Sequence, residues 1–65
     1  MAMYTIPRGV RCQIRRVSEA KWRPYVTKAQ TSFDRAEDSR ARTMIFRLEG
    51  WQIRVLVSRI RIHGG

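Results

Sequence analysis

Of the fourteen basic side chains in this chain, all but Lys21 and Lys28 are arginines. A guanidinium is a planar fork of donors that matches phosphate bidentately and stacks on flat groups. A surface dominated by it points to recognition of anions rather than to solubility alone. Trp22 and Tyr25 lie among these cations, on either side of Arg23 and close to Lys28. Interleaved basic and aromatic side chains suit a nucleic-acid backbone with unpaired bases to stack on. The expected phosphate contacts are Arg11, Arg15, Arg16, Arg23, Lys28, Arg54, Arg59 and Arg61, with Trp22 and Tyr25 as stacking groups. No RNA-recognition signature, KH-type GXXG loop, zinc-finger spacing or helix-turn-helix pattern accompanies them.

Other chemistry is poorly supplied. His63 is the single histidine and has no partner at metal-ligand spacing. Cys12 is the single cysteine, placed on an alternating apolar face, which reads as a small core residue rather than a nucleophile. Asp34, Glu37 and Asp38 could be drawn as a metal cluster but fit better as the acidic start of a helix. The glycines are scattered and form no phosphate-cradling loop. The expectation is a protein without catalytic activity, metal or cofactor. A lone cysteine suits a reducing compartment, no apolar run reaches the ~20 residues of a membrane span, and the first residues do not read as a signal peptide. A cytoplasmic protein that does not engage membranes is expected.

The elements that must position the cations follow from the pattern. A chain of 65 residues makes one small domain, burying only about 60% of its unfolded surface. Residues 1–8 look irregular. In 10–17, Val10, Cys12 and Ile14 alternate with Arg11, Gln13 and Arg15, the signature of a half-buried strand. Residues 18–21 make a short polar loop. Residues 22–28 suit a second strand, at an edge because Pro24 lacks a ladder donor. From Thr31 onward, acids precede arginines as a helix dipole prefers. Phe33, Ala36, Ala41, Met44, Ile45 and Leu48 fall on one helical stripe, and Gly50 sits where a C-terminal cap belongs. This predicts a helix over 32–48, with Asp38 reaching Arg42 and Glu37 reaching Arg40. Phe46 falls off the stripe.

The last strand runs from Trp51 to about Ile62, with 63–65 a flexible tail. Its apolar parity changes after Val57, which predicts a β-bulge near Ser58 that keeps Ile60 and Ile62 on the core side and brings Arg59 and Arg61 beside Arg54; the other outcome is that Ile60 and Ile62 pack in a dimer. The predicted fold is α+β, a three-stranded antiparallel sheet with one helix packed on one face, in the order β-β-α-β. A second arrangement shortens the helix to 32–42 and pairs 44–48 with 51–57 as a fourth strand (β-β-α-β-β). There is no internal repeat and no low-complexity stretch.

The net charge of +9 is unevenly spread. Residues 1–28 hold seven basic side chains against Glu19, residues 29–50 are neutral, and residues 51–65 add Arg54, Arg59 and Arg61. The strands thus carry the whole excess. Like charges across strands destabilise a sheet, so an anionic partner is expected on the sheet's open face. The first reading is a small protein that binds the phosphate backbone of DNA or RNA. The second is an interaction module, a regulator or inhibitor of the kind mobile elements such as phages carry, binding an acidic surface of a larger protein or nucleoprotein. An exposed edge strand also offers a route to a homodimer.

Overall fold

Regular structure among the described residues is almost all strand. The computed structural model describes residues 2–64. Among them run β1 (Met3–Ile6), β2 (Arg11–Arg16), β3 (Arg23–Val26), β4 (Thr31–Phe33), β5 (Asp38–Arg40), β6 (Thr43–Leu48), β7 (Trp51–Leu56) and β8 (Arg61–His63), with a 3-10 turn at Val57–Arg59. They form two antiparallel sheets, one in the order β4-β1-β8 and the other in the order β3-β2-β7-β6-β5.

This corrects the α+β expectation: no α-helix occurs among the described residues, and a second sheet takes the place of the packed helix. The reason lies in 31–48. Phe46, which a helix would point away from the rest, is fully buried, and Met44 two residues before it is buried beside it, the spacing of one strand face. Thr43 and Ile45, on either side of Met44, add β-branched side chains, which favour strands. Of the supposed stripe, Ala41 and Leu48 are exposed. The expected helical ion pairs are replaced by Asp38 with Arg40 at 3.4 Å, two residues apart as in a strand, and Glu37 with Arg47 at 3.7 Å. A hairpin joining 43–48 to 51–56 is present, as part of a five-stranded sheet, and the short helix over 32–42 is replaced by β4, β5 and their connection.

Ala41 makes the difference measurable. It holds φ of 52° in the turn between β5 and β6, a left-handed conformation that costs an L-residue about 1–2 kcal/mol and glycine none. Ala41→Gly is therefore expected to stabilise the protein by up to ~1 kcal/mol after glycine's entropy is subtracted, raising the urea midpoint. In a helix interior the same change would destabilise by about 1 kcal/mol.

The sheets face each other across one core. Ile6 and Phe33 come from the three-stranded sheet, Met44, Phe46, Ile53 and Val55 from the five-stranded one, and Ile60 from the chain just after the 3-10 turn. The Phe46 ring stacks on Phe33 at 4.8 Å between centroids and tilts against Tyr4 at 5.6 Å. Residues 1–8, expected to be irregular, contribute β1, the middle strand of its sheet. The turn after it is clamped by buried Thr27, whose hydroxyl donates to the Pro7 carbonyl (2.6 Å) and accepts from the Val10 N–H (2.9 Å).

The parity change at the end of the chain also has a different cause from the one expected. At Val57–Arg59 the 3-10 turn, closed by the Ile60 N–H on the Val57 carbonyl at 3.0 Å, carries the chain out of one sheet and into the other. Ile60 drops into the core, whereas Ile62 is 54% exposed. Arg59 and Arg61 go with the second sheet and do not join Arg54.

Candidate functional site

The outward face of the five-stranded sheet is organised by a tripeptide used twice. Gln13-Ile14-Arg15 lies on β2 and Gln52-Ile53-Arg54 on β7. The two strands pair antiparallel about Ile14 and Ile53, so that Gln13 faces Arg54 and Arg15 faces Gln52. Two copies of one tripeptide paired about their middle residue form a local two-fold. The isoleucines turn inward, Ile53 into the core and Ile14 against it. The polar side chains turn outward and bond reciprocally. Arg15 Nε donates to Gln52 Oε1 at 2.8 Å, and Arg54 Nε donates to Gln13 Oε1 at 2.8 Å.

Trp22, immediately before β3, lies over this pair. The guanidinium carbon of Arg15 is 5.0 Å from the Trp22 ring centroid and that of Arg54 is 4.4 Å from it, both within cation–π range. Arg15 also donates through Nη1 to the Glu19 carbonyl at 2.8 Å. The network continues sideways: the Gln52 amide donates to Glu37, whose carboxylate also meets Arg47. A guanidinium has five N–H donors. Two of those on Arg15 and one on Arg54 are engaged, leaving the outer ends of both forks for an anion.

The electrostatics favour that use. Among the described residues the ion pairs are Arg40 with Asp38 and Arg47 with Glu37, so Arg15 and Arg54 hold their geometry through amides and an indole, without a carboxylate to neutralise them. Arg11, one strand position further along, shares the outward face with Gln13 and Arg15.

Of the predicted contacts, the fold gathers Arg11, Arg15, Trp22 and Arg54. It does not gather the rest. Arg16 lies on the other side of β2, stacked on Trp51 at 4.3 Å. Arg23 pairs opposite Ile14, and Tyr25 opposite Cys12, so both point toward the core side. Lys28 is exposed in the loop beyond β3, Arg59 is exposed in the 3-10 turn, and Arg61 lies on β8 opposite Thr5. Gln13 and Gln52 were not anticipated, although the recurrence of Gln-Ile-Arg was visible.

Cys12 is free and half-buried, and burial pushes its thiol above the ordinary value, which disfavours the nucleophilic thiolate. No group of three or more His, Cys, Asp and Glu side chains among the described residues is arranged to hold a metal ion. No helix among them is long and apolar enough to cross a membrane. Neither protein-family models, curated proteins nor solved structures provide a match to this chain, which leaves the geometry of the outward face as the guide to its role.

Proposed function

We propose that the protein binds the phosphate backbone of DNA or RNA through the outward face of its five-stranded sheet, without catalysis or a cofactor. The observation that carries this reading is the pair Arg15 and Arg54, fixed by Gln52, Gln13 and Trp22 and lacking carboxylate partners. Fixing two long side chains in advance lowers the ordering entropy that binding would otherwise cost. Arg11 extends the contact surface. The cations elsewhere, including Arg16, Arg23, Lys28, Arg59 and Arg61, add to a field that steers an anion toward the protein. The proposal includes a cytoplasmic location, where a single cysteine without a partner in its own chain is commonplace.

The competing reading is an acidic protein surface as partner, favoured by Val26 and Leu56, exposed apolar side chains on the sheet. Strand addition gains little support: of the edge strands, β4, β5 and β8 have three residues each, and β3 carries Pro24. Short or proline-bearing edges are poor templates for pairing, which also weighs against a homodimer formed that way.

The test is binding of a labelled single strand of about 20 nucleotides over a salt series. Three phosphate contacts predict that the logarithm of affinity falls with that of salt with a slope of about −2. A flat response, with partners in lysate that survive nuclease, would replace nucleic acid with a protein surface.

A further inference from the structure

β2 and β7 stay paired only from Arg16–Trp51 to Gln13–Arg54. Both strands run on for two more residues, but they part there. Arg11 and Cys12 continue beside β3, opposite Val26 and Tyr25, while Val55 and Leu56 continue beside β6, opposite Met44 and Thr43. A depression of about 250 Å³ opens at this fork, lined by Arg11, Cys12, Gln13, Thr43, Arg54 and Leu56. It adjoins the Arg54–Gln13 half of the arginine platform, so it belongs to the same face.

The lining is of two kinds. Leu56, 46% exposed, gives an apolar wall, and the neighbouring Thr43 has its hydroxyl already donated to the Arg40 carbonyl at 3.0 Å. Arg11 and Arg54 give two cations at the rim. Gln13 accepts from Arg54 through Oε1, so its amide nitrogen is the end left to donate. The volume falls below the roughly 300–1,000 Å³ of sites that enclose a cofactor or drug-sized ligand, and suits one planar ring. A flat, partly apolar group with carbonyl acceptors at its edge, joined to a phosphate on either side, satisfies all three features. An unpaired nucleobase in its strand has that chemistry. In a duplex the same ring is stacked and its edge paired, and it reaches such a depression only if flipped out.

We infer that the fork between β2 and β7 receives a nucleobase while Arg11 and Arg54 hold the neighbouring phosphates, which makes the protein a reader of single strands. The inference rests on the phosphate-binding reading and adds to it a contribution from the base.

The experiment compares a ten-nucleotide thymidine strand with an abasic strand of the same length, which keeps every phosphate and lacks every base. The thymidine strand is expected to bind about tenfold more tightly, the effect of removing roughly 55 Å² of apolar surface from water at ~25 cal/mol per Å², with the two salt slopes equal. Leu56→Ser, at an exposed position that leaves the core intact, is expected to remove most of that difference by weakening only the thymidine strand; Leu56→Met should preserve it. Equal binding of both strands by the unaltered protein overturns the base site while leaving phosphate binding in place. Failure of both strands to bind at low salt overturns both readings. Equal binding of the strands, together with tighter binding of a leucine-containing polyglutamate peptide than of polyglutamate, would assign the fork to a protein side chain instead.

Discussion

Phe46→Ala is expected to leave the chain unfolded at 25 °C. Phe46 is fully buried, and its ring contacts Phe33 and Tyr4 from the opposite sheet, so its removal opens a cavity where the two sheets meet. Phe→Ala in a core costs about 3–5 kcal/mol. A chain of 65 residues has a total stability of about 3–10 kcal/mol at the usual 0.05–0.15 kcal/mol per residue. A domain this small buries little apolar surface and falls toward the low end of that range, where the loss takes most or all of the stability. Leu48→Ala, on the same strand but 46% exposed, should change it by no more than about 0.5 kcal/mol. Near-ultraviolet circular dichroism during a urea titration reads both variants. The reverse ranking, with Leu48 essential and Phe46 dispensable, would restore a helix over 32–48.

The double variant Arg15→Gln, Arg54→Gln is expected to lower single-strand affinity on the order of 50-fold at 0.05 M salt and to flatten the salt slope by about 1.4. On the phosphate-binding proposal each arginine removed takes away one contact, worth about 0.7 in slope for a single strand. Glutamine keeps a polar amide at each position, and both sites lie on the outward face, so the melting temperature should move little. The control is Arg59→Gln, Arg61→Gln, which removes the same charge from the turn and β8. Its effect should be confined to the weaker long-range field, which salt near 0.15 M screens beyond about 8 Å. If the two double variants lose affinity equally, binding is diffuse and the arginine–glutamine platform has no special part in it.

The elements legible in the sequence were those where one physical signal acted alone. The alternation of Val10, Cys12 and Ile14 with Arg11, Gln13 and Arg15 marked β2 and its outward cations, and Pro24 marked an edge strand, which β3 is. Residues 31–48 carried two compatible signals. Acids before arginines and apolar residues at helical spacing agreed with a helix, while Met44 and Phe46 agreed with a strand. Tertiary burial decided between them, because only the strand places both in the core. The acids then found other uses: Glu37 binds Gln52 and Arg47, and Asp38 receives the Ser39 N–H. Arg23 was misplaced because parity within a strand fixes which residues share a face but not which face looks outward. Register against Ile14 supplied that. The platform itself went unseen because its unit is only three residues long and its meaning depends on the antiparallel pairing of segments far apart in the chain.

The pairing of β1 with β8 sets Met3 against His63, so the three-stranded sheet is closed by segments from opposite ends of the chain. Closing a loop of that length costs more entropy than forming the β6–β7 hairpin across Glu49 and Gly50, although the cost rises only logarithmically with length. Local hairpins therefore have the kinetic advantage, and the sheet that covers Phe46 waits on the most distant contact. Chains dominated by such contacts fold in about milliseconds to seconds rather than microseconds. During that interval the apolar inner face of the five-stranded sheet is uncovered, while the arginines on its other face keep growing chains apart by charge repulsion. The cations assigned by proposal to an anionic partner thus have an earlier use, as a guard against self-association.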